Sequence, residues 1–144
     1  MNRMCCSLLG AVALACTQDD PYVVRDPGDS QPDVDTTPPT IEHQPVEDAQ
    51  LYGQPVPLQA TVTDEESGVF VVQVFYRQET SSMWEDVVLL DNDGDTVFEG
   101  QIPGSDVLTA GMHYYLSAMD GSENTGFDPL EGEDDPYHFR ITPD

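Results

Sequence analysis

The sequence predicts an all-β sandwich of seven short strands, set behind a targeting segment and an acidic spacer. Two observations point there. Between residues 40 and 141 apolar and polar side chains alternate in short runs, the period-2 signature of half-buried strands. Clusters of Asp, Gly, Pro and Ser separate the runs at short intervals, and no stretch carries a convincing helical period. The chain has 144 residues, enough for one ordinary domain with appendages.

The front end reads as a secretory signal. Met1-Asn2-Arg3 carries an early positive charge, and residues 4–15 are apolar or small. The run is too short for a transmembrane helix, which needs about 20 apolar residues. Ala13-Leu14-Ala15-Cys16 resembles the lipobox of bacterial lipoproteins, with Ala13 standing where that family usually has Leu. The resemblance implies that Cys16 becomes the first residue and carries the lipid. Thr17, rather than Asp, follows it, which in that family implies the outer membrane. The alternative is an ordinary Ala-x-Ala cleavage site at Ala13 and Ala15, and a secreted protein. Cys5 and Cys6 fall inside the removed peptide, so the mature chain would hold no internal disulfide.

Residues 16–38 are expected to be a disordered linker. Pro21, Pro27, Pro32 and Pro38 are interleaved with Asp19, Asp20, Asp26, Asp29, Asp33 and Asp35. Such a stretch buries too little apolar surface to offset chain entropy. Proline and like-charge repulsion keep it extended. The sandwich is expected over residues 39–144.

The strands follow in order. Residues 40–43 form the first. In 56–63, Val56, Leu58, Ala60 and Val62 share a face, and Pro57 fits an edge or strand-start position. In 69–77, Val72, Val74 and Tyr76 point inward and Gln73 and Arg77 outward. In 84–90, Val87 and Leu89 point inward. Asp91-Asn92-Asp93-Gly94-Asp95 is a turn of the Asp-Gly hairpin kind. In 96–102, Phe98 and Ile102 align. Residues 111–120 alternate around Tyr114, Leu116 and Ala118. In 137–141, Tyr137, Phe139 and Ile141 close the chain on one face.

Thr37-Pro38-Pro39-Thr40-Ile41, the 64–69 turn, Tyr76-Arg77 and residues 114–120 resemble bacterial immunoglobulin-like or fibronectin type III-like modules. The resemblance covers roughly residues 38–143. It implies a seven-stranded sandwich, and these folds host many unrelated roles. Leu108, Gly111 and Tyr114 are spaced like the tyrosine corner of that family. There the Tyr hydroxyl folds back onto the loop before its strand, here near Leu108.

Composition narrows the function classes. Formal net charge is −24, and the only basic residues besides three His are Arg3, Arg25, Arg77 and Arg140. Nucleic-acid binding is excluded on that ground, because phosphate contacts need basic side chains. His43, His113 and His138 are not in a metal-ligand spacing. No nucleophile elbow or phosphate loop is present, and the chain is read as non-enzymatic. Trp84 with Tyr52, Phe70 and Phe75 offers a carbohydrate platform, set against ordinary core packing of the same rings. The 91–95 run fails the calcium-hand register: its sixth residue is Thr96 and its twelfth Ile102. The loops after the second, fourth and sixth strands should nevertheless meet at one end. Asp64, Asp93 and Asp120 are the residues placed there for a weak calcium site, against a plain solvated acidic rim. No other cofactor is expected. The expected partners are a membrane, through the lipid on Cys16, and a protein or glycan ligand.

Overall fold

In the computed structural model, residues 34–108 and 111–142 are described. The signal segment, Cys16 and the spacer up to residue 33 lie outside the described residues.

Alternation decides which side chains are buried. β3 (Val56–Thr63) buries Val56, Leu58, Ala60 and Val62 and turns Pro57, Gln59 and Thr63 to solvent. β4 (Val69–Gln78) buries Val72, Val74 and Tyr76. β7 (Gly111–Asp120) contributes Met112, Tyr114, Leu116 and Ala118. β9 (Tyr137–Thr142) adds Phe139 and Ile141, and β5 (Glu85–Leu89) and β6 (Val97–Ile102) add Leu89 and Ile102. These side chains form one continuous core, with Ile41, Val46, Val87, Phe98 and Tyr137 packed at its margin. Each fully buried Val or Leu contributes about 1.5–3 kcal/mol.

The core lies between two sheets. The smaller has the order β1-β3-β6, all antiparallel, with β1 at Thr40–His43. The larger runs β2-β9-β7-β4-β5. β2 is only Gln50–Leu51 and pairs parallel with β9. The first strand therefore joins one sheet and its continuation joins the other. A single bridge, Leu90 to Glu99, links the sheets on the opposite side. The 91–95 turn thus connects strands of different sheets rather than an expected hairpin. Asp91 folds that turn by accepting the amides of Gly94 (2.7 Å) and Thr96 (3.1 Å).

Among the described residues nine strands are present where seven were expected, for two reasons. β2 is a two-residue pairing with no periodicity to announce it. The last strand is split. β8 (Thr125–Asp128) pairs with the second half of β7, and β9 pairs with its first half. Between them residues 129–136 leave the sheet, make a short 3-10 turn at Gly132–Asp134, and return. We call this excursion the arch. Tyr137 donates to Asp128 Oδ1 (2.8 Å) and pins its two feet together.

The compact unit begins at Val34, ahead of the expected boundary at residue 39. Residues 34–38 belong to it because Asp35 is held on the domain: Ser67 Oγ donates to Asp35 Oδ2 (2.6 Å), and Asn124 Nδ2 donates to the Asp35 carbonyl (3.2 Å).

Candidate functional site

Two places on the domain gather functional groups. The first is the outer face of the larger sheet, where β4, β5, β7 and the arch converge. Outward positions of neighbouring strands fall side by side: Phe75 is opposite Tyr115, and Arg77 is opposite His113, which is opposite His138. Phe75 and Tyr115 stack with ring centres 5.0 Å apart. Trp84 meets Tyr115 edge-on, also at 5.0 Å, and Phe127 approaches it at 6.2 Å. Tyr115 is only 8% exposed although it points away from the core, because the arch lies over it. Burial raises the Tyr115 hydroxyl above its ordinary value, and the nearby Glu133 carboxylate adds to the rise. Gly132, at φ 55, brings the arch onto Phe127; a Cβ there would sit 3.4 Å from that ring.

Beside this cluster opens a shallow cavity of about 510 Å³. It is lined by Arg77, Glu79, residues 80–82 and Trp84, with Glu133 and Asp134 from the arch. The Arg77 guanidinium lies 5.0 Å from the Trp84 ring centre and donates to the Ser81 carbonyl (2.9 Å), so both groups are held in place. Of the four rings weighed as a platform, Trp84 and Phe75 lie together on this face, whereas Tyr52 and Phe70 are exposed and make no ring contact with them. Phe70 is the extra residue of a β-bulge in β4, which removes it from the alternation. Local periodicity does not mark Tyr115 or Phe127, the first because it sits beside a core tyrosine and the second because its strand has four residues.

The second place is acidic. Carboxylate oxygens of Asp35, Asp64 and Asp120 lie within 4.8 Å of one another. Asp64 and Asp120 come together as expected, but Asp93 does not join them. It sits in a separate group with Asp91 and Asp95, where like charges raise its carboxyl above the ordinary value. Asp35 takes its place, a residue expected to belong to the spacer. These two trios are the groups among the described residues whose atoms could converge on a cation, and hard carboxylate oxygens suit Ca²⁺.

Protein donors already serve the first trio. Asp64 Oδ1 accepts the amides of Ser67 (2.8 Å) and Gly68 (2.7 Å) and so closes the loop between β3 and β4. Asp120 is 1% exposed, and burial alone would raise its carboxyl. The Asn124 side chain, with the amides of Asn124 and Ser122 (both 2.8 Å), outweighs that and holds it below the ordinary carboxylate value.

Tyr114 is fully buried, but its hydroxyl does not reach Leu108. Among the described residues its partners are the Val46 amide, which donates to it (2.8 Å), and His43 Nε2 (3.0 Å). His43 Nδ1 lies 2.8 Å from the Gln59 carbonyl, which can only accept, so Nε2 is left to receive the Tyr114 hydroxyl. The reason is directional: Tyr114 faces the core and crosses to the segment after β1, while Leu108 is half exposed. The loop before β7 is tied instead by Tyr76, whose hydroxyl donates to Asp106 (2.8 Å).

No family model matches this chain, and no characterised protein is significantly similar to it in sequence. No helix among the described residues is long and apolar enough to cross a membrane.

Proposed function

We propose that this chain is a non-enzymatic lipoprotein of the bacterial cell envelope whose sandwich is an immunoglobulin-like or fibronectin type III-like binding module. The strand order, three strands facing a larger sheet with the first strand continuing onto the second sheet, supports that reading of the module. The observation that carries the binding role is the outer face of the larger sheet. Its aromatic cluster is immobilised by mutual packing and opens onto a cavity with polar walls, the usual build of a ligand site. The lipobox-like Ala13-Leu14-Ala15-Cys16 supports an anchor at Cys16 and outer-membrane sorting.

Two measurements test this. Cys16→Ser should move the protein from the membrane fraction to the soluble fraction; persistence with membranes would overturn the anchor. The intact chain should capture an envelope component that a Trp84→Ala chain releases. Equal capture by both would remove the outer face as the binding surface.

A further inference from the structure

We propose that the cavity between Trp84 and the arch binds a saccharide whose units carry hydroxyl and free amino groups. This rests on the outer face being the binding surface and names its ligand class. The walls supply the two elements such a ligand needs. Trp84 gives a flat apolar surface that is partly exposed and fixed by Tyr115 and Arg77. Around it stand planar polar groups, the carboxylates of Glu79, Glu133 and Asp134 and the Arg77 guanidinium, with the hydroxyls of Thr80, Ser81 and Ser82. Vicinal hydroxyls pair with such forked groups, and a sugar ring's C–H face packs on an indole.

The donor and acceptor balance selects within that class. Glu79, Glu133 and Asp134 are exposed and meet water, and they are absent from the groups able to converge on one cation among the described residues. A ligand that displaces that water therefore has to bring several donors spread over the cavity rather than a single ion. Three carboxylates against one guanidinium favour a cationic ligand and disfavour uronic acids. The cavity, at about 510 Å³, lies within the usual range for small-ligand sites.

Calorimetry on the full chain with a glucosamine tetrasaccharide tests this. Saturable binding is expected, weakened about tenfold or more by Trp84→Ala and separately by Glu133→Gln with Asp134→Asn. The N-acetylated tetrasaccharide should bind more weakly, and a galacturonate tetrasaccharide should not bind. Two results would overturn the proposal. One is the absence of saturable heat with the glucosamine tetrasaccharide from a chain that still captures its envelope component; this leaves the binding module standing and removes only the ligand class. The other is equal binding of pentalysine, insensitive to Trp84→Ala, which would mean attraction of any cation to acidic walls. Circular dichroism of each variant confirms the fold before its binding is read.

Discussion

Tyr114 and Tyr115 are neighbours in sequence and both are buried, yet by different means. Tyr114 is enclosed between two sheets, against Phe139, Tyr137 and His43. Tyr115 lies on the opposite face and is enclosed by one side chain from each of β4, β8 and the residue before β5, and by the arch. The inner site is closed by strands whose hydrogen bonds run the length of both sheets. The outer one is closed by eight residues whose feet are joined by a single side-chain bond. The inner tyrosine thus belongs to the cooperative unit that sets global stability, and the outer one to a lid that can open locally.

Alkaline titration sharpens this contrast most. Burial raises Tyr76, Tyr114 and Tyr137 above the ordinary value of 10.0, and Tyr137 is pushed up to about 12, with Asp128 adding to the rise. A raised folded value means the unfolded chain loses its proton first. The stability these groups contribute is complete below 10.0 and is lost as pH rises through the folded values. The domain should unfold cooperatively at a pH above the ordinary tyrosine range, with Tyr114 ionising only on unfolding and Tyr115, less strongly raised, ionising earlier while the fold persists. Simultaneous ionisation of the two, read by ultraviolet absorbance with near-ultraviolet circular dichroism, would erase the distinction.

A smaller effect comes from truncating the inner partner. Phe139 is 0% exposed, and Phe139→Ala should destabilise the domain by about 3–5 kcal/mol in denaturant unfolding. A loss below about 1 kcal/mol would mean that the core relaxes around the gap.

Tyr137→Phe should have the smallest effect. It keeps the ring against Tyr114 but removes the donor to Asp128 Oδ1, while Asp128 Oδ2 is already buried without a partner. The cost should be about 1–3 kcal/mol. Amide exchange should quicken in residues 129–136 and hold steady in β3 and β4. Uniform quickening across the domain would make the arch part of the global core.

The same contrast separates what the sequence made legible from what it hid. β3, β4 and β7 were readable because apolar side chains bound for the core recur at every second position along eight or more residues. The arch was not, because Thr125–Asp128 is four residues ending before a proline and resembles a loop. Nor was the parallel pairing of Gln50–Leu51 with β9, which local periodicity cannot encode. Of the acidic site, Asp64 and Asp120 could be paired from loop order alone. Asp35 could not, since its neighbours are the prolines and aspartates of a spacer, and it is brought into the domain by hydrogen bonds from the distant Ser67 and Asn124. Tyr114's tie to Val46 spans 68 residues of sequence, whereas spacing rules report only nearby partners.

Among the described residues the strands at the margins of the sheets, β1, β6, β5, β2 and β8, have a strand partner along one side, and the bridge at Leu90 covers little of the other side of β6. Such margins are templates on which other chains can add as further strands and grow into aggregates. Here they carry Glu42, Glu85, Asp86 and Glu99, in a chain of net charge −24 with no lysine. Colloidal repulsion between copies is therefore a product of ionised carboxylates alone. Acidification removes that repulsion and also withdraws the stability that Asp120 contributes while ionised, so crowded copies would lose their protection against growing sideways into fibrils.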